Sequence, residues 1–144
     1  MKNNRNIRRM ISVLLILAML LPCISMTAFS QDLPCAEDGC SGKYRSGICS
    51  AAGHLEAAPI EGGIYRISNA GQLYWFAQQV NDGQTSINGK LTADITVNTN
   101  VLTEDGFLNT GSFRAWTPIG NKSKKYTGTF DGNGKTVSGL YFNN

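Results

Sequence analysis

The chain has 144 residues, with 13 Lys and Arg, 10 Asp and Glu, a single His and 4 Cys, a length that suits one domain. The positive balance is concentrated at the start: Lys2, Arg5, Arg8 and Arg9 lie in the first thirty residues, which carry no acid, and beyond them nine basic residues face ten acidic ones. That balance excludes a nucleic-acid partner as an expectation, because the one basic cluster left, Lys122, Lys124 and Lys125, reads as a solvated loop tip.

The basic start is followed by an apolar run from Ile11 to Leu21, by Pro22, and by a polar stretch from Thr27 to Gln31. Ala28 and Ser30 are small residues at the −3 and −1 positions of a cleavage after Ser30. This is the pattern of a secretory signal peptide over residues 1–30. The apolar run falls short of the roughly 20 residues that a spanning helix requires. A lipid-modified cysteine would need a small residue before it, where Leu20-Leu21-Pro22-Cys23 has proline. The expectation is a secreted or cell-surface protein with no stable membrane anchor after cleavage, Cys23 leaving with the peptide.

Residues 31–59 form a Cys-rich segment and linker. Cys35, Cys40, Cys49 and His54 follow one another at the spacing C-x4-C-x8-C-x4-H, in a stretch rich in Gly and Ser and poor in large apolar residues. So little apolar surface cannot build a core, and a crosslink would have to supply any order. A disulfide with one thiol left over is the preferred reading outside the cell. Three thiols and an imidazole are also a donor set for tetrahedral Zn²⁺, and a spacer without structure is the third reading. Leu55 to Gly63 then carries small residues, Pro59 and a Gly pair, which is linker chemistry with a boundary near Pro59.

Ile64 to Ile67 alternates as a short strand, and Ser68 or Asn69 is a suitable N-cap. Leu73, Phe76, Ala77 and Val80 recur at i, i+3, i+4 and i+7, which predicts an amphipathic helix from Ala70 to Asn81. Gly83 is placed to end it, and Tyr74 and Trp75 widen its core-facing side. Leu91 to Val97 alternates as a strand with Leu91, Ala93, Ile95 and Val97 on one face. Asn98 to Asn100 turns the chain, Val101-Leu102 reads as a short strand, Glu104 to Gly106 as a turn, and Phe107 to Arg114 as a loose excursion or one more strand. Tyr126 to Phe130 and Thr136-Val137 flank Asp131-Gly132-Asn133-Gly134, which reads as strand, tight turn, strand. Asn121-Lys-Ser123 matches the glycosylation sequon of eukaryotic secretory routes. Glycines every few residues along β-prone sequence suit a solenoid, in which the chain bends repeatedly.

Two stretches resemble known families. The cysteine segment resembles the short ribbon-like modules C-G-x-Y-x-N-G-x-C-x-x-C-G-x-Y-E that follow the signal in secreted proteins of gut Firmicutes. The closing C-x-x-C of those modules is here Cys49 followed by Ala52, so a fourth ligand would have to be His54. From Gly63 to Phe142 the order L-x-x-F-A-x-x-V-N-x-G, L-T-x-D-I, W-x-P-I-G and Y-x-G-T-F-D-G-N-G-K-T-V-S-G-L resembles the opening of the β-helical domains of large Gram-positive secreted and surface proteins. Those proteins carry GLUG motifs and pectate-lyase-like right-handed β-helices.

The resemblance implies a mainly β fold, in which residues 60–144 are the incomplete start of a right-handed parallel β-helix, a solenoid capped by the one helix. It also implies an adhesin-like, polymer-binding role towards carbohydrate or host and extracellular protein. The rival within the family is a polysaccharide-degrading enzyme, which would need clustered carboxylates for Ca²⁺ and a basic residue as general base. Asp94 and Asp131 read instead as turn and surface residues, and Glu104 and Asp105 adjoin in a turn. No catalytic residue is assigned, no enzyme is expected, and zinc on Cys35, Cys40, Cys49 and His54 is the one cofactor under consideration. A short zinc-dependent interaction module is the third reading.

Overall fold

The structure, a computed structural model, describes residues 33–36 and 40–143, so the signal-peptide reading of residues 1–30 lies outside the described residues. Those described belong to one compact unit and form eight short strands and one helix, a mainly β architecture. β1 (Tyr44–Arg45) pairs antiparallel with β2 (Ile48–Cys49), and β3 (Ile60–Glu61) with β4 (Ile64–Ile67). The helix α1 (Ala70–Asp82) follows, and then β5 (Asn88–Leu91), β6 (Ile95–Thr96), β7 (Phe130–Asp131) and β8 (Val137–Ser138). One sheet has the order β3-β4-β5-β7, and β6 and β8 make a second.

Both hairpins turn on two residues of positive φ, Ser46 (48°) with Gly47 (76°) and Gly62 (59°) with Gly63 (77°). Two such residues in succession twist the chain in the sense that the flanking strands follow. The Gly pair that reads as linker chemistry is therefore a hairpin turn. The chain beside Pro59 is packed: Ala58 is buried with Ile67, Ala70 and Phe76, and the Pro59 carbonyl accepts the Arg66 N–H at 2.8 Å.

Of the two candidate caps, Asn69 starts α1. Its backbone is extended (φ −147°, ψ 170°), and its Oδ1 accepts the Gln72 N–H at 2.9 Å, satisfying one of the donors that a helix start leaves without a partner. At the far end Gly83 adopts φ 121° and returns its N–H to the Gln79 and Val80 carbonyls. All four stripe residues are buried, as their spacing predicts. Phe76 is the hub: its ring centroid lies 6.0 Å from Tyr65, 6.1 Å from Tyr126 and 5.5 Å from Phe130. Tyr74 is buried, and the half-buried Trp75 tilts against Tyr65 at 5.3 Å.

After α1 the chain makes two passes that run side by side. Gly89 pairs with Phe130 and Lys90 with Asp131, Ile95 with Val137 and Thr96 with Ser138, all in parallel. β5 in turn lies parallel to β4, with Ile64 opposite Asn88. Polar side chains join the passes at the bends. Asn88 Oδ1 accepts the Thr129 N–H, Asp94 Oδ1 accepts the Thr136 N–H, and Asn98 Nδ2 donates to the Gly139 carbonyl, each at 2.8 Å.

Asp131-Gly132-Asn133-Gly134 is accordingly not the loop of a hairpin. Asn133 (φ 48°) and Gly134 (φ 67°) do turn the chain, but β7 and β8 on either side of them pair with the preceding pass and not with each other. The expected strand from Leu91 to Val97 is bent opposite this corner, so that β5 ends at Leu91 and β6 begins at Ile95. Its alternation survives the bend: Leu91 and Ile95 are buried, Ala93 and Val97 half-buried, and Thr92, Asp94 and Thr96 exposed. Val101 to Asn109 is a small antiparallel excursion, with Leu102 bridged to Leu108 and the Thr103 N–H donated to the Phe107 carbonyl at 2.8 Å. It leaves Leu102, Phe107 and Leu108 exposed. Of the expected strand from Tyr126 to Phe130 only Phe130 is paired as strand; Tyr126 instead donates its hydroxyl to the Ile87 carbonyl at 2.9 Å.

Candidate metal centre

The Cys-rich segment is held by backbone hydrogen bonds that join residues 33–35 to residues 42–44 and extend the β1–β2 hairpin. The Cys35 N–H donates to the Gly42 carbonyl (3.0 Å), Tyr44 N–H to Leu33 (2.8 Å) and Ser50 N–H to Lys43 (2.9 Å). Cys49, the last residue of β2, opens a tight loop that Gly53 closes with φ 69°. The Gly53 N–H donates to the Cys49 carbonyl at 2.9 Å, and the Cys49 N–H to the His54 carbonyl at 2.8 Å. This closure explains the x4 spacing between Cys49 and His54: it brings the imidazole back beside the thiol. Gly42 is needed at its place because a Cβ there would stand 2.5 Å from Cys49 Sγ and 2.8 Å from Ala51 Cβ.

The result is that one ligand atom from each of Cys35, Cys40, Cys49 and His54 lies within 4.8 Å of the other three. Cys40 Sγ is 3.2 Å from Cys49 Sγ, and Cys35 Sγ is 3.4 Å from His54 Nδ1. The three thiols are unbridged, and 3.2 Å is well beyond an S–S bond of about 2.05 Å. Zn–S bonds of about 2.3 Å and Zn–N bonds of about 2.0–2.1 Å in a tetrahedron set ligand atoms roughly 3.5–3.8 Å apart, a spacing that the observed separations bracket. Cys35 and Cys49 are buried, Cys40 and His54 half-buried. The donor set, its spacing and its burial together make a cluster that could hold a metal ion such as zinc.

The Cys40 and Cys49 sulfurs are in hydrogen-bond contact, and their pKa values move in opposite directions. At Cys49 burial pushes the pKa up, but the backbone N–H groups of Ala52 and Ala51 and the Cys40 and Cys35 thiols donate to its sulfur and bring it down to about 6. At Cys40 the Gly42 backbone pulls downward, and its contacts with Cys49 and Cys35, burial and the Cys35 charge outweigh that pull and raise it to about 11. One sulfur of the pair is thus poised as a thiolate, the form in which cysteine binds metal.

The cluster is fastened to α1 by residues that carry no motif in the sequence. Both Glu56 oxygens accept hydrogen bonds, Oε2 from the N-cap Asn69 Nδ2 (2.9 Å) and Oε1 from Gln72 Nε2 (3.0 Å). The Ser46 carbonyl accepts the Gly71 N–H at 2.8 Å, and a Cβ on Gly71 would collide with the Gly47 carbonyl. A glycine in the first turn of a helix was the only available hint of this close approach.

The carboxylates weighed for catalysis serve bends instead. Asp94 accepts from both the N–H and the hydroxyl of Thr136, which holds its pKa below the usual carboxylate value. Asp131 pairs with Lys90 at 2.8 Å and accepts the Asn133 N–H, with the same effect. Glu104 and Asp105 are exposed at the tip of the Val101 to Asn109 excursion. Asn121 accepts from Ser123 and Lys124 N–H within its own loop and donates to Asn81 Oδ1 at the end of α1, and in the same loop Lys122 and Lys125 are exposed and Lys124 half-buried. Among the described residues no helix is long and apolar enough to cross a membrane. Compared with known protein families, with curated proteins and with solved structures, the chain matches none of them.

Proposed function

We propose that this chain is the zinc-braced opening of a right-handed parallel β-solenoid, and that it works outside the cell as an adhesin-like binding protein for carbohydrate or extracellular protein. The observation that carries this reading is the parallel register of two successive passes, β5 with β7 and β6 with β8, joined at each bend by a side chain of the lower pass. A chain that bends repeatedly in register can present a long, regular surface, and such surfaces suit binding to extended polymers. α1 packs over the first turns of this stack and covers its apolar interior.

Zinc on Cys35, Cys40, Cys49 and His54 supplies the order that a Gly- and Ser-rich segment cannot derive from a core. The apolar run and small-residue cleavage pattern of residues 1–30 support export through the secretory route. Binding is favoured over catalysis because Asp94 and Asp131 already serve as acceptors at bends and are not gathered around a common centre.

The reading is tested by incubating the full chain with immobilised polysaccharides and matrix proteins while assaying the supernatant for released oligosaccharide. Retention on at least one polymer without product is expected. Release of reducing ends or unsaturated sugars would overturn the non-catalytic role, and retention on none would overturn the binding role.

A further inference from the structure

Two adjoining depressions, of about 340 and 560 Å³, share Leu55, Gln78 and Arg114. They therefore form one cleft between the Cys-rich segment and the outer side of α1, within the size range of small-molecule sites. Tyr74 and Gln78, one helical turn apart, line it from α1, and Trp75 and His54 line the larger half. Among the described residues neither half is lined by an Asp, a Glu or a Lys.

Arg114 is the arginine that lines both halves of this cleft, and its backbone is fixed on both sides. Its N–H donates to Asn98 Oδ1 at 2.8 Å, and its carbonyl accepts from Tyr74 Oη and Asn98 Nδ2, both at 3.0 Å. The guanidinium lies over the Tyr74 ring, 4.9 Å from its centroid, a placement favoured by the attraction of a cation to a π face. The ion pairs among the described residues are Arg66 with Glu61 and Lys90 with Asp131, so Arg114 has no carboxylate there. Nor do the Gln78 amide and the Trp75 indole N–H hydrogen-bond to any described residue. Arg114, Gln78 and Trp75 thus line one cleft with side-chain donors that no described residue takes up.

We propose that this cleft binds a saccharide bearing a carboxylate, with the Arg114 fork on the carboxylate and the Gln78 amide and Trp75 N–H on ring hydroxyls. The planar fork of arginine matches a carboxylate with two parallel hydrogen bonds. A single Arg, with no second Arg or Lys among the described lining residues, suits one carboxylate better than a phosphate dianion or a sulfated chain. Amide and aromatic lining without a deep apolar hole suits sugar rings better than peptide side chains. The proposal rests on the reading of the chain as a binding protein and names the class of its ligand.

The test is calorimetric titration of the zinc-supplemented full chain with trigalacturonate and with sialyllactose, beside trigalacturonate methyl ester, which keeps the rings and removes the charge. Binding of at least one acidic probe is expected, weakened at least tenfold by Arg114→Gln, with Arg114→Lys in between. The trigalacturonate ester should bind at least tenfold more weakly than its acid if that acid is the probe bound. Arg114→Gln should leave the metal content unchanged and lower the thermal transition only slightly, by the lost contact with the Tyr74 ring, because the hydrogen bonds that fix residue 114 are made by its backbone. No binding of either acidic probe, equal binding of the ester, or an affinity unmoved by Arg114→Gln would overturn the proposal. Equal, Arg114-dependent binding of a polyglutamate peptide would overturn the choice of saccharide. Retention on neutral polymers alone would sink this proposal and leave the binding reading standing, whereas cleavage of trigalacturonate would sink that reading itself.

Discussion

Gly71 shows how a single residue fastens the candidate metal centre to the rest of the molecule. At an ordinary helix position Gly→Ala gains up to about 1 kcal/mol. Here the new Cβ would strike the Gly47 carbonyl and push the β1–β2 turn away from the Ser46 hydrogen bond at 2.8 Å. Gly71→Ala is expected to lose about 2 kcal/mol or more in a urea melt, opposite in sign to helix propensity, and to weaken zinc retention in the same protein. Asp94 and Asp131 give a second expectation at this scale. Both pKa values are held below the ordinary aspartate value of about 3.9, so the folded state binds these protons less readily than the unfolded chain. The stability that each contributes is present above that ordinary value and is lost as pH falls through it towards the lower folded value. Melting temperatures measured from pH 7 to pH 3 should drop over that lower range, and Asp94→Asn should flatten part of the drop. Both carboxyls are at the surface, so the effect is modest and weakens with salt.

Among the elements, α1 was the most legible from sequence. Four apolar residues at helical spacing, a capping Asn and a terminal Gly all agree with one another, and only the last residue of the helix differs from expectation. Phe76→Ala tests what this element holds together. Its ring is fully buried against Tyr65, Tyr126 and Phe130, and about 3–5 kcal/mol of stability should be lost in a denaturant melt. A cost under 1 kcal/mol would mean that the helix does not seal the sheet. The strands were legible in position more than in partner. Alternation from Leu91 to Val97 correctly divides inward from outward residues, but nothing in it signals the corner after Leu91. A Gly/Asn turn between β-prone runs is the same local signal in a hairpin and at a corner between parallel passes. Which one forms depends on whether an earlier segment offers an edge, as β5 and β6 do to β7 and β8. Gly62-Gly63 is the opposite case: a hairpin turn that composition disguised as a linker.

For the whole molecule, the four candidate ligands were legible as a spacing, but not their convergence. Convergence depends on backbone closures such as Gly53 to Cys49 and Cys35 to Gly42, which no residue pattern announces. The Glu56 bridge to Asn69 and Gln72 then makes the cluster of three cysteines and His54 and the start of α1 parts of one structure. Zinc at a thousand times its dissociation constant should stabilise such a unit by about 4 kcal/mol, and chelation should loosen the helix start as well as residues 40–58. The most direct measurement is zinc X-ray absorption on the full chain purified under reducing conditions, joined to a thermal melt with and without chelator. One zinc per chain with three sulfur neighbours and one nitrogen, and a transition that falls when the metal is removed, is the predicted result. A chain without stoichiometric zinc, with Cys40 and Cys49 joined as a disulfide or with a transition indifferent to chelation, would contradict the account.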